Sequence, residues 1–447
     1  GNLKRPILVV AIGYIIGIIW GLYFDFSIAL LYIFIAAIYF FLKIFLNHKS
    51  KFKLLSFRRY FRYVKLIFTK NVVFLIVIIS IISNLIIMAK ENYRVGMQQS
   101  IAKLNKIVLE AIIVQDRIDK DYKDTYKIST IINGKKVYFY LDVNKNKNKS
   151  FDYGDKIYIE GTYEIPETQR NYKGFDYNKY LKQKNILGII KAENLILKSK
   201  EHGNPLLLFS NKISNKIEKK LKELLSYEVY PIVISLSVGN MDFIEEDIQE
   251  QFRNAGLLHV LAVSGTHMTY LILGTGMMFK NLFGKRKTYY LSIFIILFYI
   301  LITGFSVSII RSAIMGIVML ISKIVYRKND IWTSMGLSLL IILFYNPYLI
   351  LDLGMQLSYG GTIGIVLFQR DILKFLEEKM LNMQKNKFFI NKLIKPIIEI
   401  ISITISAQII IIPIIIYSLN TLNIYFLISN IFVGVIIEPL TILCFIL

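Results

Sequence analysis

Gly256-Leu257-Leu258-His259-Val260-Leu261-Ala262-Val263-Ser264-Gly265-Thr266-His267-Met268 decides how this chain is to be read. It begins as an apolar, membrane-compatible run, then sets Ser264, Gly265, Thr266 and His267 in a row before apolar character resumes over residues 268–279. A polar, glycine-containing break inside a hydrophobic segment is costly in lipid. It is tolerated only where the backbone is buried in protein or faces a watery cavity. The stretch therefore predicts a membrane protein with an internal site or path.

Composition agrees. Of 447 residues, 55% are hydrophobic, and the mean hydropathy of +0.51 is far above that of a soluble protein. The formal net charge is nevertheless +23. In a membrane protein such charge has three sources: cytoplasmic loops, contact with anionic headgroups, and attraction to a polyanion such as nucleic acid. Cys444 is the sole cysteine, so no intramolecular disulfide forms within these residues. The four histidines, His48, His202, His259 and His267, include no cluster of three, and there is no P-loop pattern. Neither a metal nor a cofactor is expected.

Outward from the break, the chain divides into four parts. Residues 1–89 hold three apolar runs, 7–24, 27–46 and 72–89, each long enough to span about 30 Å of hydrocarbon. No small-residue cleavage site follows the first run, so it reads as a membrane helix and not as a signal peptide. Gly13, Gly17 and Gly21 recur every four residues, a spacing that suits close helix packing or is simply the glycine content of membrane helices. Residues 43–70 are basic without a single acid, which places that loop and the N-terminus in the cytoplasm and the chain after residue 89 outside.

Residues 90–205 are polar and free of spans, and read as one soluble extracytoplasmic domain. Its apolar-rich and alternating stretches predict five short strands, with Asn133-Gly134 as a hairpin turn. Basic and aromatic residues interleave on them. That fits a small β-barrel of OB-fold type, which binds single-stranded nucleic acid by stacking and charge. Tyr138, Tyr140, Lys156 and Tyr158 are the candidates for binding DNA; the alternative is that these aromatics are barrel core.

Residues 206–255 are amphipathic and interfacial in pattern. Phe209, Ile213, Ile217, Leu221 and Leu224 recur at helical spacing among lysines, as in a helix lying on the membrane or packed on the soluble domain. Residues 256–447 return to membrane character and bring the expected total to about ten spans, some discontinuous. A second polar break comes after Asn346-Pro347, with Asp352, Gln356, Ser358, Gly360, Gly361 and Thr362. Arg311 lies just inside one span, positioned either to snorkel or to serve a buried role. With Gln408, Asn430 and Glu438 on the last spans, these residues predict a polar interior shared by several helices, a usual construction of translocation paths.

His259, Ser264, Gly265, His267, Arg311, Asp352, Gln356 and Gln408 are the candidate path-lining residues. The alternative is an intramembrane serine hydrolase using Ser264 and His267. A nucleophile needs a base within hydrogen-bond reach. Intramembrane serine proteases usually bring the two from separate helices, and here they share one helical turn.

The residues also carry a resemblance. Gly256 through Met268 resembles the hallmark segment of the ComEC family, the inner-membrane DNA channel of bacterial natural transformation. Leu236-Ser237-Val238-Gly239-Asn240 is similar to that family's approach to the segment. Thr303-Gly304-Phe305-Ser306-Val307 with Arg311-Ser312-Ala313-Ile314-Met315 is similar to the part of the family that comes after it. Asn346-Pro347 through Gln356-Leu357-Ser358, and Ser406-Ala407-Gln408 to Pro413, resemble its later motifs. Lys173-Gly174-Phe175-Asp176-Tyr177 with Tyr180-Leu181 and Gly188-Ile189 resembles the end of its OB-fold.

The resemblance implies a non-enzymatic channel for single-stranded DNA in the cytoplasmic membrane. Its partners would be a DNA receptor outside and an ATPase or helicase inside. Many family members also carry a metallo-β-lactamase-like domain. Nothing here matches its metal motif, so no nuclease activity is assigned to these residues.

Overall fold

The computed structural model describes residues 5–24, 70–104, 106–119, 123–144, 151–167, 176–200, 202–241, 243–261, 265–305, 307–381, 395–419 and 426–446. The span expected over residues 27–46, most of the basic loop after it, and Ser264 lie outside these.

Helix α1 (Pro6–Tyr23) opens with proline at its first position, where the missing N–H is one the helix would leave unbonded anyway. It packs along α2 (Lys70–Ala102), and the glycine row is the reason the two approach so closely. A Cβ on Gly17 would sit 2.0 Å from the Ser80 carbonyl oxygen, and one on Gly21 2.3 Å from Ile87. The Ser80 hydroxyl donates to the Gly13 carbonyl at 2.9 Å, closing the seam with a bond between helices. Of the two readings of that glycine spacing, close packing is the one the structure shows. Helix α2 does not stop where its apolar run ends. It continues as a helix to Ala102, carrying Glu91, Arg94 and Gln98 on its polar extension.

The sheet domain comes next. Strands β1 (Ile107–Asp119), β2 (Lys123–Ile132), β3 (Lys135–Asn144), β4 (Lys156–Glu164) and β5 (Ile189–Ser199) form a closed barrel in the order β1-β2-β3-β5-β4. The β2–β3 hairpin turns at Asn133 and Gly134, both with positive φ (50° and 73°), as a two-residue Asn-Gly turn requires. The barrel closes through β1, which pairs with both β2 and β4 and is bent by two irregularities. The single parallel pairing, β3 with β5, is made across helix α3 (Tyr177–Gln183). Ile113, Tyr126, Ile128, Phe139, Leu141, Ile157, Ile159 and Ile190 fill the barrel, alternate residues of each strand pointing inward.

The barrel is held to the helices by polar bonds. Arg94 donates to the Ile186 carbonyl, Gln98 to the Leu187 carbonyl at 2.7 Å, and Lys182 pairs with Glu91 at 2.9 Å. Lys179 of α3 donates to the Tyr23 hydroxyl at the far end of α1. The near end of α1 is tied elsewhere, by the Arg5–Asp330 ion pair at 2.9 Å. The barrel therefore sits at the end of the helices opposite Arg5 and Asp330.

After the barrel comes α4 (Pro205–Leu224). Phe209 and Leu224 are exposed, and the buried edge is Ser210, Ser214 and Leu221. Ser210 donates to the Leu301 carbonyl and Ser214 to the Ile302 carbonyl at 3.1 Å. The last carbonyls of an α-helix have no partner within it, and small hydroxyl side chains can reach them. Here α4 caps the C-terminal end of the helix Lys285–Ile302.

Two short helices, α5 (Tyr230–Ser237) and α6 (Glu246–Asn254), lead to Gly256, whose φ of 74° ends α6. A single turn, Leu258–Leu261, precedes α7 (Gly265–Phe283). Then come α8 (Lys285–Ile302), α9 (Val307–Ile324), α10 (Ile331–Tyr345), a 3-10 turn (Pro347–Leu351), α11 (Leu353–Leu381), α12 (Lys395–Leu419) and α13 (Phe426–Ile446). Helices α11 and α12 meet as α1 and α2 do, because a Cβ on Gly364 would lie 2.4 Å from the Ser406 carbonyl oxygen.

Among the described residues, four helices are long and apolar enough to cross a membrane: Pro6–Tyr23, Val72–Ala102, Val307–Ile324 and Lys395–Ser418. Ile331–Tyr345 is a shorter apolar helix. The chain is thus a mostly helical protein of membrane character with one sheet domain.

Candidate functional site

Arg311 is the centre of the polar interior. It projects from α9, is only 7% exposed, and pairs with no carboxylate among the described residues. Its Nη1 donates to Thr362 Oγ1 at 2.9 Å and to the Ser358 carbonyl at 3.3 Å, both on α11; its Nη2 reaches Ser312 Oγ at 3.4 Å. The guanidinium lies 5.4 Å from the centroid of the Tyr359 ring. A charge on a membrane helix costs about 2.5–3.5 kcal/mol on insertion scales. Hydroxyls and a carbonyl satisfy part of its donor set and leave its full charge in place.

Gly265 completes this cluster. A Cβ there would lie 3.0 Å from Ser312 Oγ and 3.4 Å from Arg311 Nη2, so the start of α7 abuts the guanidinium. The interrupted stretch and Arg311, far apart in sequence, are one site. His267 is 1% exposed, within the helix core beside Met268. Ser264 and the side chain of His259 lie outside the described residues, as do those of Asn430 and Glu438.

Asp352 and Gln356 are not brought to this cluster. Asp352 accepts from the Met355 backbone N–H at 2.8 Å and caps the start of α11. Gln356 donates to the Ile350 carbonyl at 2.9 Å. The second polar break is thus a helix end, with Asn346 accepting from the Tyr348 N–H at 3.2 Å. Its outward side is the docking point for the barrel: Asn346 donates to the Gln183 carbonyl at 2.8 Å, and the Gln183 side chain donates to the Leu351 carbonyl at 3.0 Å. Gln408 is half-buried on α12, next to the Ser406–Ala407 segment that Gly364 packs against.

The four barrel candidates divide between two faces. Tyr140 is 5% exposed and packs with Leu181 and Ile186 beneath α3, so its ring offers no face to a base in this arrangement. Burial also pushes its hydroxyl pKa upward. Tyr138 is beside it but half-buried, with Lys127 Nζ 5.2 Å and Lys136 Nζ 5.7 Å from its ring centroid. Lys127, half-buried and close to Lys184, has its pKa pulled down to about 8, first by desolvation and then by that neighbouring charge. Lys127, Lys136 and Lys184 are the functional candidates that the sequence reading missed. The signal was there, because Lys127 is two strand positions from Ser129, the residue paired with Tyr138.

On the other face, Lys156 pairs with Glu110 at 2.7 Å, Lys198 bonds the same carboxylate, and Tyr158 donates to Glu160 at 3.1 Å. The two lysines hold the Glu110 carboxyl down to about 2. Lys156 and Tyr158 therefore belong to a charge-balanced surface, and the Tyr138 face holds cations that pair with no carboxylate among the described residues.

Residues 236–447 match the family described as Competence protein. The chain is 28% identical over 212 residues to ComE operon protein 3 of Bacillus subtilis (strain 168), a match covering 47% of this chain and 27% of that protein. It is 27% identical over 143 residues to Competence protein ComA of Neisseria gonorrhoeae, covering 30% and 20%. The chain thus spans well under half the length of the relatives it matches. No solved structure matches it. The matched segment, just under half of the chain, contains the interrupted stretch, Arg311 and the α11–α12 seam, and it is similar to the Competence protein family, in agreement with the ComEC-family resemblance of its motifs.

Proposed function

We propose that this protein carries single-stranded DNA across the bacterial cytoplasmic membrane during natural transformation, with α7, α9 and α11 forming part of the path. The observation that carries the reading is Arg311. A guanidinium held between helices by hydroxyls and a carbonyl, without a counter-carboxylate among the described residues, is a ready partner for a phosphodiester. In the arrangement described the cluster is packed shut, so passage requires α9 and α11 to part. Gly265, which adds no side chain beside the guanidinium, leaves room for that step.

The barrel is read as an OB-fold that receives the strand outside. Its closed five-strand cycle and the Lys127–Tyr138–Lys136 face support this, since stacking and cationic charge together bind single strands without reading sequence. Orientation is argued from charge. Arg5, Arg327 and Lys328 cluster at the end opposite the barrel, which the positive-inside rule assigns to the cytoplasm. About ten spans, an extracytoplasmic domain over residues 90–205, a receptor outside and an ATPase or helicase inside complete the proposal.

The test is DNA uptake in transformable cells carrying the chain or lacking it, with surface-adsorbed and nuclease-protected DNA scored separately. Loss of protected DNA with adsorption retained is expected. Uptake independent of the chain contradicts the reading. Ser264→Ala should leave uptake near normal; complete loss would favour the hydrolase alternative.

A further inference from the structure

At the other end of α7, far from Arg311, a cavity of about 620 Å³ opens between α7, α8 and α9. This is within the 300–1,000 Å³ of ordinary small-molecule sites. Lys280, Lys285 and Lys323 line it, one from each helix, with Tyr289 beside Lys323 at 5.6 Å. None of the three lysines pairs with a carboxylate among the described residues. The local sequence explains why: from residue 256 to 345 the one acid is Asp330, and it is engaged by Arg5.

Asn281, Thr288 and Ser292 add polar lining, and the remainder is mostly apolar. Ile272, Leu273, Met277 and Leu320 form a wall one to two turns along the helices from the lysines. Leu273 and Met277 are also exposed on the outside of α7. The cavity is thus cationic at one end and apolar at the other, and its apolar end opens onto the helix faces that would meet lipid.

We propose that this cavity is a binding site for an anionic phospholipid, with the headgroup phosphate held by Lys280, Lys285 and Lys323 and an acyl chain lying along Leu273 and Met277. Lysine is a point-charge phosphate binder, and basic pockets between membrane helices suit anionic headgroups. The apolar wall selects a lipid over a nucleic acid, whose phosphates come without such a tail. Gly276 lines the same cavity, and a Cβ built on it meets nothing within 4 Å, so the space beside it is empty. The inference does not depend on how DNA moves through the protein.

The experiment is equilibrium binding of a tail-labelled phosphatidylglycerol to the full 447-residue chain in non-ionic detergent. Phosphatidylcholine, inorganic phosphate and a short oligonucleotide serve as competitors. Lys280→Gln, Lys285→Gln and Lys323→Gln combined should weaken binding at least tenfold. A control with Arg286→Gln, Lys287→Gln and Lys328→Gln should stay within about twofold, although it removes as much charge. Gly276→Phe fills the cavity with its lysines intact and should also lose binding.

Equal loss in both triple variants, or full binding by Gly276→Phe, overturns the site. Displacement by millimolar inorganic phosphate as readily as by unlabelled phosphatidylglycerol assigns it to free phosphate and overturns the lipid. Displacement by the oligonucleotide, lost in the same lysine variant, overturns it in favour of nucleic acid. The lysine side chains are exposed, so that variant keeps the test decisive even if Gly276→Phe fails to fold.

Discussion

Gly265 lies against Arg311: a Cβ added to the glycine would stand 3.4 Å from the guanidinium Nη2 and 3.0 Å from Ser312 Oγ. This contact joins the start of α7 to the buried cation of α9. A methyl group there needs a shift of a few tenths of an ångström. A branched side chain must displace Arg311 or the helix. Gly265→Ala should keep most DNA uptake, and Gly265→Leu should abolish it while costing about 1–3 kcal/mol in stability, the usual range for overpacking. Nuclease-protected DNA and a thermal melt of the purified variants check the two halves separately.

Arg311 separates function from stability in the opposite sense. Replacing a buried charge by an apolar residue of similar length is often neutral or stabilising. Arg311→Met should therefore melt at or above the temperature of the unaltered protein and yet take up at least tenfold less DNA. A structural role predicts the reverse, a lower melting temperature with uptake falling in proportion to folded protein. Arg311→Lys keeps the charge and loses the planar fork, and intermediate uptake is expected.

The barrel rests on the helices through the reciprocal bonds of Gln183 and Asn346. Each amide bond contributes about 1 kcal/mol net. Gln183→Ala and Asn346→Ala should each loosen the joint, read as faster hydrogen exchange in α3 and the 3-10 turn with the barrel core unchanged. Asn346 also holds its own backbone turn, so its substitution should have the larger effect. Uptake should fall in both with DNA adsorption to the cell unaffected.

The Tyr138 face predicts a pH dependence. Lys127 loses its proton as pH rises through about 8. A bound phosphate favours the charged form, so affinity for single-stranded DNA should be full at pH 7 and fall about tenfold by pH 9 if the bound lysine stays protonated. Lys127→Gln should remove that dependence and shallow the salt slope by nearly one unit. Fluorescence anisotropy of a labelled oligonucleotide on the full chain measures both. Tyr140→Phe keeps the buried ring and should leave binding unchanged.

Much of the architecture was legible because local rules set it. Asn133-Gly134 fixes its turn, and alternation along residues 156–163 marks a strand whichever partners it finds. What escaped was decided at a distance. Tyr140 looks like an outward strand residue until α3, which begins at Tyr177, covers it. Gly17 is ambiguous until Ser80 arrives against it. Asp352 was read as polar at membrane depth, yet Asn346-Pro347 before it already carried the signature of a helix end, where a carboxylate serves as a cap. In α4 the lysines and apolar residues dominate the pattern, whereas the contact with α8 is made by two small side chains, Ser210 and Ser214. Arg311 was visible as a charge near a span, but its meeting with Gly265 and Thr362 required the packing of three helices.

A DNA path at Arg311 is tested most directly by trapping the strand in transit. Tyr359 lies beside the guanidinium, and p-azidophenylalanine keeps its ring there while an azide replaces the hydroxyl that meets Ser338. The same group at Phe294, exposed on α8, faces away from the cluster. Irradiation during uptake of end-labelled DNA should attach single-stranded label to the chain at position 359 and not at 294. Equal labelling at both positions, or none at 359 while uptake proceeds, would contradict a path through this cluster.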